Sequence, residues 1–461
     1  MDTANHPPRY VFEDLLTVRD TKRYFLLPFD VPPGTSWLRL DFYYEPERVP
    51  HPKEVANLVC LSLFDSQGFR GARHSFGTHK VVEIGPSAAT PGFLPGPLPA
   101  GRWVLEVDTF MVLPGTPVSY RAEVRFGPDP EQAGAGPAPS TVWRPRPPLR
   151  REPGWYRGDL HTHTIHSDGD ETVAGLLDLA RRRGLHFVAL TDHNTTSQLF
   201  DPCLDGNRDL LIIPGMELTT HYGHAVSLGT TSWIDWRTGH EGRTIAQAIE
   251  DIHAAGGLCI LAHLAALGDP VCTGCAWLFT DQMPGQVDAM EICNGMWFQV
   301  GSNNPVSLHI WKEWLQAGHR LPAVAGTDFH AAHDYREGAP ANVVYARELS
   351  EAAILEGVAR GHVMVSTGPE LYLEASLADG GRALMGDRVD PASVRAVEVR
   401  WRGAPAGAKV LWLVDGETCA AWEGEHGEAA PTLPSGARWA LAEMWGADGA
   451  LLALTNPLYV S

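Results

Sequence analysis

The segment Gly158-Asp159-Leu160-His161-Thr162-His163-Thr164-Ile165-His166-Ser167-Asp168-Gly169 constrains this chain more than any other. His161 and His163 stand two apart on an expected strand, so both rings face one side. Asp168 follows in a turn closed by glycine. Two neutral imidazoles and a carboxylate converging at a strand end suit a divalent metal. Packing alone gives no reason for this set of side chains. The chain therefore reads as a metalloenzyme whose other ligands lie elsewhere in the sequence.

From about 155 to 368, apolar strand-like runs alternate with helix-like segments. Strands are expected near 187–191, 210–214, 224–228, 258–262, 289–293, 323–326, 343–345 and 363–366, and helices near 173–183, 244–255, 305–317 and 350–360. In the second helix Ile245, Ala248, Ile249 and Ile252 recur at helical spacing. The alternation predicts an α/β, barrel-like domain with a mainly parallel sheet. Nearly every central strand ends or begins with a donor: His193, Glu217, His224, His263, then Asp328 and His330. In barrels, C-terminal strand ends open into one mouth, so these distant residues meet. Of 20 histidines, 14 lie between His161 and His333, which fits one clustered centre better than scattered surface histidines.

The flanks differ. Residues 8–127 carry short apolar or alternating runs separated by Pro and Gly, which predicts a β-sandwich accessory domain. Residues 128–154 are rich in Pro, Gly and Arg and suit a linker. The catalytic segment is bounded at 155–369, and 370–461 reads as a small C-terminal β domain. A length of 461 residues agrees with two or three domains. The net charge of −19 excludes a general duplex-binding surface but not phosphorylated substrates, because metal cations supply local positive charge. The start, from Met1 to Pro8, lacks a secretory apolar core, and no run is long enough to span a membrane, so the cytoplasm is the expected address. Seven thinly spread cysteines argue against a disulfide framework, and the lone Cys272-Thr273-Gly274-Cys275 motif reads as structural or incidental.

Over about 155–368 the chain resembles the PHP (polymerase and histidinol phosphatase) family. The motifs are His161-x-His163 with Ser167-Asp168-Gly169, Thr191-Asp192-His193, Gly215-x-Glu217, His263 and Asp328-x-His330. Gly223-His224, Glu291-Ile292-Cys293-Asn294-Gly295 and Ser366-Thr367-Gly368-Pro369 look like its CehA/McbA-type branch. The resemblance implies a distorted (β/α)7 barrel holding two or three divalent metal ions, with zinc, manganese or iron favoured by the donor types. Carried over by motif, His161, His163, Glu217 and Asp328 would hold one ion. Asp168, His193 and His330 would hold a second. Glu217, as a bridge, would hold a third with His224 and His263. Leu264 stands after His263, where the family often has Pro.

The implied activity is hydrolysis of a small-molecule phosphate mono- or diester by a metal-activated hydroxide, with Glu217 and Asp328 as the catalytic carboxylates. Hydrolysis of a carbamate, amide or ester on the same site is the alternative, and a non-catalytic metal-binding or regulatory module is a second. His166, His221, Asn294 and Arg336 sit near ligand motifs and are candidates for substrate binding, Arg336 because its fork matches two phosphate oxygens. His333 is a weaker candidate of the same kind. Asp192 either orients a ligand or caps the loop that follows it. Trp277, Trp297, Trp311 and Trp314 read as core, Trp297 having the best claim to the mouth. Arg181, Arg182 and Arg183 read as a solvated helix end.

Overall fold

The computed structural model describes residues 9–48, 55–127 and 142–461. The first eight residues, and 128–141 of the expected linker, lie outside the described residues.

Strict alternation builds the N-terminal region. In Trp37–Glu45, Leu38, Leu40, Phe42 and Tyr44 point inward and are fully buried. This strand belongs to a four-stranded antiparallel sheet in the order Arg9–Leu16, Val118–Gly127, Trp37–Glu45, His79–Ile84. A second sheet runs Arg23–Val31, Gly101–Met111, Leu58–Asp65, Gly68–Arg73. Leu38, Leu40 and Phe42 of the first share one core with Phe29, Trp103, Leu105 and Val107 of the second. The two sheets are joined through their apolar faces.

The central region is mixed α/β, with large sheets and few helices. Gly154–Asp159, Phe187–Leu190 and Leu211–Thr220 run parallel. Gly223–Leu228 then returns antiparallel, and Leu258–Leu261 is antiparallel to it. Ala289–Asn294 and Ala323–Gly326 extend that side in parallel. Beyond Gly154–Asp159 on the other side, Ala341–Ala346 and Val363–Ser366 are antiparallel. The sheet is therefore mixed rather than mainly parallel. The cause is local: His221 and Tyr222 alone separate two strands, too few residues for the crossover that a parallel pair requires.

Four α-helices, Val173–Arg182 (α1), Ile245–Ala254 (α2), Asn304–Gln316 (α3) and Glu351–Ala359 (α4), occur among the described residues. They stand where the apolar spacing places them, shifted by a residue at some ends because the flanking residues are caps. The Thr172, Thr244 and Ser350 hydroxyls accept from Gly175 N, Gln247 N and Ala353 N.

Ala323–Gly326, at one end of the sheet, also meets Ala341–Ala346 in its interior. The Asn342 side chain accepts from Ala325 N at 2.9 Å and donates to Ala325 O at 2.6 Å, clamping Ala341–Ala346 to Ala323–Gly326. The sheet also continues past residue 369, because Leu451–Thr455 pairs with Val363–Ser366 and leads into Trp439–Trp445 and Lys409–Val414. A four-stranded sheet containing Glu370–Leu377 and Val394–Arg402 shares a core with these strands through Leu371, Leu373, Val399, Trp412 and Met444. No helix among the described residues is long and apolar enough to cross a membrane.

Candidate metal centre

The strand Gly154–Asp159 ends before the first histidines. His161 and His163 follow in a bridge between Thr162 and Phe329, with His163 N donating to Phe329 O at 2.8 Å. Both rings still point one way: their Nε2 atoms lie 3.3 and 3.4 Å from Glu217 Oε2. Glu217 sits inside Leu211–Thr220 rather than at a strand end, and it is the hub of the cluster. Its Oε2 is 2.7 Å from His193 Nδ1, and its Oε1 is 3.2 Å from both His224 Nδ1 and His263 Nε2. Asp328 Oδ1 lies 3.0 Å from His163 Nε2 and 3.4 Å from His161 Nε2. Asp168 Oδ1 lies 3.4 Å from His193 Nε2 and 3.3 Å from His330 Nε2.

All nine expected ligands are thus brought together. They fall into four overlapping groups: His163, Asp168, His193 and His330; His161, His163 and Asp328; His161, Glu217 and His263; His193, Glu217 and His224. Several of their donor atoms are buried with no hydrogen-bond partner, including His161 Nε2, both nitrogens of His163 and of His224, Asp168 Oδ1 and Glu217 Oε2. Orphaned buried donors of this kind cost about 1–3 kcal/mol each unless something satisfies them. Imidazole nitrogens and carboxylate oxygens aimed at common points are satisfied by divalent cations, so the residues fit a metal centre.

The field within the cluster is strong. Burial alone would lower His161, yet the carboxylates of Glu291, Glu217 and Asp328 hold it well above the ordinary histidine value. Burial would raise Glu217, and His161, His193 and His224 overcome this and hold it well below the carboxylate range. Asp328 is held down in the same way by His161 and His330 against burial. His163 is pushed down to about 4 by burial, then by His193 and His330. Burial also pushes His224 down to about 4.

Partners outside the cluster orient the rings. His161 Nδ1 meets Glu291 Oε1 at 2.8 Å, His263 Nδ1 faces Cys275 O at 3.2 Å, and His330 Nδ1 faces Asp328 O at 2.7 Å. Each leaves Nε2 for the centre. Asp192 braces the ligand loop, accepting from Thr164 N and Ser167 Oγ at 2.8 Å each. His263 and Asp328 adopt left-handed backbone conformations with φ of 31° and 52°, strain that persists only where the surroundings enforce it. Gly326 is required: a Cβ there would fall 2.3 Å from Glu291 Oε1 and 2.6 Å from His161 Cβ.

The cluster floors a cavity of about 340 Å³ lined by Asp168, His193, His224, His263, Asp328 and His330, together with residues of the N-terminal sandwich. None of the four substrate-binding candidates lines it. His166 Nδ1 bonds to Ser197 Oγ at 2.7 Å, and His221 Nε2 to Asp108 Oδ1 at 2.6 Å, both at the junction with the sandwich. Asn294 donates to Glu291 Oε2 at 3.0 Å and so stands behind the ligands. Arg336 is exposed. Trp297 packs edge-on against Trp445, with Trp277 and Trp311 also in the core. Cys272 and Cys275 are bonded to each other, in the turn whose Cys275 carbonyl faces His263.

Two contributors were not assigned from the sequence. Glu291 was quoted only as part of a motif. His74, from the sandwich, lines the cavity with its ring 4.6 Å from that of His193. No local pattern marks His74, whose role depends on a contact between distant segments.

No protein-family model matches the chain. An uncharacterized protein of Methanocaldococcus jannaschii is 29% identical over 132 residues, covering 25% of this chain and 74% of that one. Among solved structures, a two-domain protein from Bacteroides vulgatus containing a predicted PHP-like metal-dependent phosphoesterase is similar over 69% of this chain and 100% of its own, at 15% identity and a TM-score of 0.40. An amidohydrolase from Chromobacterium violaceum, solved with bound sulfate and no metal, is similar over 38% of this chain and 87% of its own, at 19% identity and a TM-score of 0.27.

Proposed function

We propose that this chain is a metal-dependent hydrolase of the PHP type, in its CehA/McbA-like branch, acting on small phosphate esters. The division proposed is a sandwich at 8–127, a linker to 154, a (β/α)7 metallohydrolase barrel at 155–369 and a C-terminal β domain. The observation that carries the reading is the convergence of nine imidazole and carboxylate donors with orphaned buried atoms, six of which line one cavity.

Two or three divalent ions, zinc, manganese or iron, would supply Lewis acidity there, activating water at neutral pH and offsetting charge on phosphoryl oxygens. The chain's own groups do the rest. Glu217, fully buried beneath the cavity, holds His161, His193, His224 and His263 in register around one carboxylate. Asp328 reaches into the cavity beside His163 and is placed to accept a proton from the attacking water. Asp168 and His330 hold the opposite flank, where the phosphoryl group is to be oriented.

The test is turnover by the metal-loaded protein on p-nitrophenyl phosphate and its bis-ester against p-nitrophenyl acetate and a naphthyl carbamate. Turnover of the phosphate esters alone is expected. The reverse preference would replace phosphorus by acyl carbon as the centre attacked. Silence on both panels with metals bound would leave a binding module.

A further inference from the structure

The cavity over the ligand cluster is made by two distant parts of the chain. Its floor is polar, and its walls carry an apolar portion beside Arg48 and Thr273: Val55, Leu58 and Phe76 come from the sandwich, and Pro270 and Val271 from the segment after His263. Phe76 is 63% exposed and Val271 57% exposed, although both line a concave site. Large apolar side chains left open inside a cavity are covered when an apolar group enters it. The cavity, about 340 Å³, lies at the small end of ligand pockets, so it suits a compact group rather than a polymer.

The sandwich is held firmly enough to act as a wall. Arg73 donates to Ile165 O at 2.6 Å, Thr195 Oγ1 to Gly92 O at 2.8 Å, and Arg237 to Glu106 at 3.0 Å. His74, two residues before Phe76, is fixed by Phe110, whose ring is 4.5 Å away, and lies over His193. These contacts tie the sandwich side of the cavity wall to the segments that carry the ligand cluster.

We propose that the N-terminal sandwich sets substrate choice: Phe76, with Val55, Leu58 and Val271, receives the apolar, aryl-sized leaving group of a small phosphate ester whose phosphoryl group faces the ligand cluster. This rests on the phosphoesterase reading above for the phosphoryl half alone. Phe76 contacts the leaving group and not the reacting atoms, so it governs selectivity rather than the chemical step.

The experiment is calorimetric binding of phenylphosphonate and methylphosphonate to the full-length, manganese-loaded chain. Wild type is expected to bind the phenyl compound about tenfold more tightly, a ratio set by burial of the ring. Phe76→Ala should reduce that ratio to within about twofold while leaving metal content and methylphosphonate affinity unchanged. Phe298→Ala, an equally exposed aromatic outside the cavity, should keep the ratio. A wild-type ratio near one, a ratio that survives Phe76→Ala, or a parallel loss of both ligands would overturn the proposal. If neither phosphonate binds but phenylacetate is preferred to acetate in a Phe76-dependent way, the wall stands and the phosphoester reading falls. Absence of binding by all four compounds overturns the wall as well.

Discussion

Glu217 shows how much one side chain carries. It touches His161, His163, His193, His224 and His263 within 3.4 Å and has no access to solvent. Around it, His193→Ala and Asp328→Ala are expected to lose metal and activity while remaining folded, as measured by elemental analysis and circular dichroism. Full metal content and activity in both variants would remove these residues from the site. Glu291→Gln tests orientation instead of ligation: it keeps the shape but weakens the hold on His161 Nδ1, and metal affinity should fall about 10–100-fold. Proton linkage gives a third expectation. Carboxylates hold His161, His193, His263 and His330 above the ordinary histidine value despite burial, so these rings carry protons that a cation must displace. Metal affinity should therefore keep rising as pH passes about 6.5, with protons released into the buffer. Calorimetry in two buffers of different ionisation enthalpy counts those protons, and a pH-independent affinity would contradict the assignment. The nine candidate donors that the fold brings together were legible because donor type and position next to apolar runs are local properties. Glu291 escaped assignment because its partner lies 130 residues away.

Helices were read closely because amphipathic spacing and capping residues both mark them: Thr244 and Ser350 stop being helix and become caps. Strands were harder. Leu211–Thr220 is buried along its whole length, so no alternation shows where it ends, and Glu217 lies within it. The same short turn at His221 and Tyr222 reverses the sheet and delivers His224 beside Glu217. Elements approach closely at Gly326, where Ala323–Gly326 passes under His161 and Glu291. Gly326→Ala is expected to destabilise the protein by about 1–3 kcal/mol through overpacking and to lower metal content as well. Urea unfolding and elemental analysis read the two effects, and a variant indistinguishable from wild type would show that the strand shifts without consequence.

Across the whole molecule, the sandwich and the central sheet meet through buried polar contacts. His221 and Asp108 pair at 2.6 Å, both buried, with His221 stacked on Tyr24. Asp108→Ala leaves that imidazole without its partner, which should cost about 1–3 kcal/mol and loosen the junction. Limited proteolysis and urea unfolding measure this, and an unchanged midpoint would show that other contacts hold the junction alone. The residues proposed to bind substrate were placed by proximity in sequence, and among them His166 and His221 make hydrogen bonds at this junction. Amino-acid order settled the chemistry available here: which donors exist, that apolar runs flank them, and that they suit divalent cations. Those are consequences of side-chain type and short-range pattern. Tertiary structure alone decided that Asn342 ties Ala341–Ala346 to Ala323–Gly326, that Glu217 becomes the hub, and that a segment over 80 positions away supplies His74 and Phe76 to the cavity wall. Convergence depends on curvature and long-range pairing, and no local stretch of sequence encodes either.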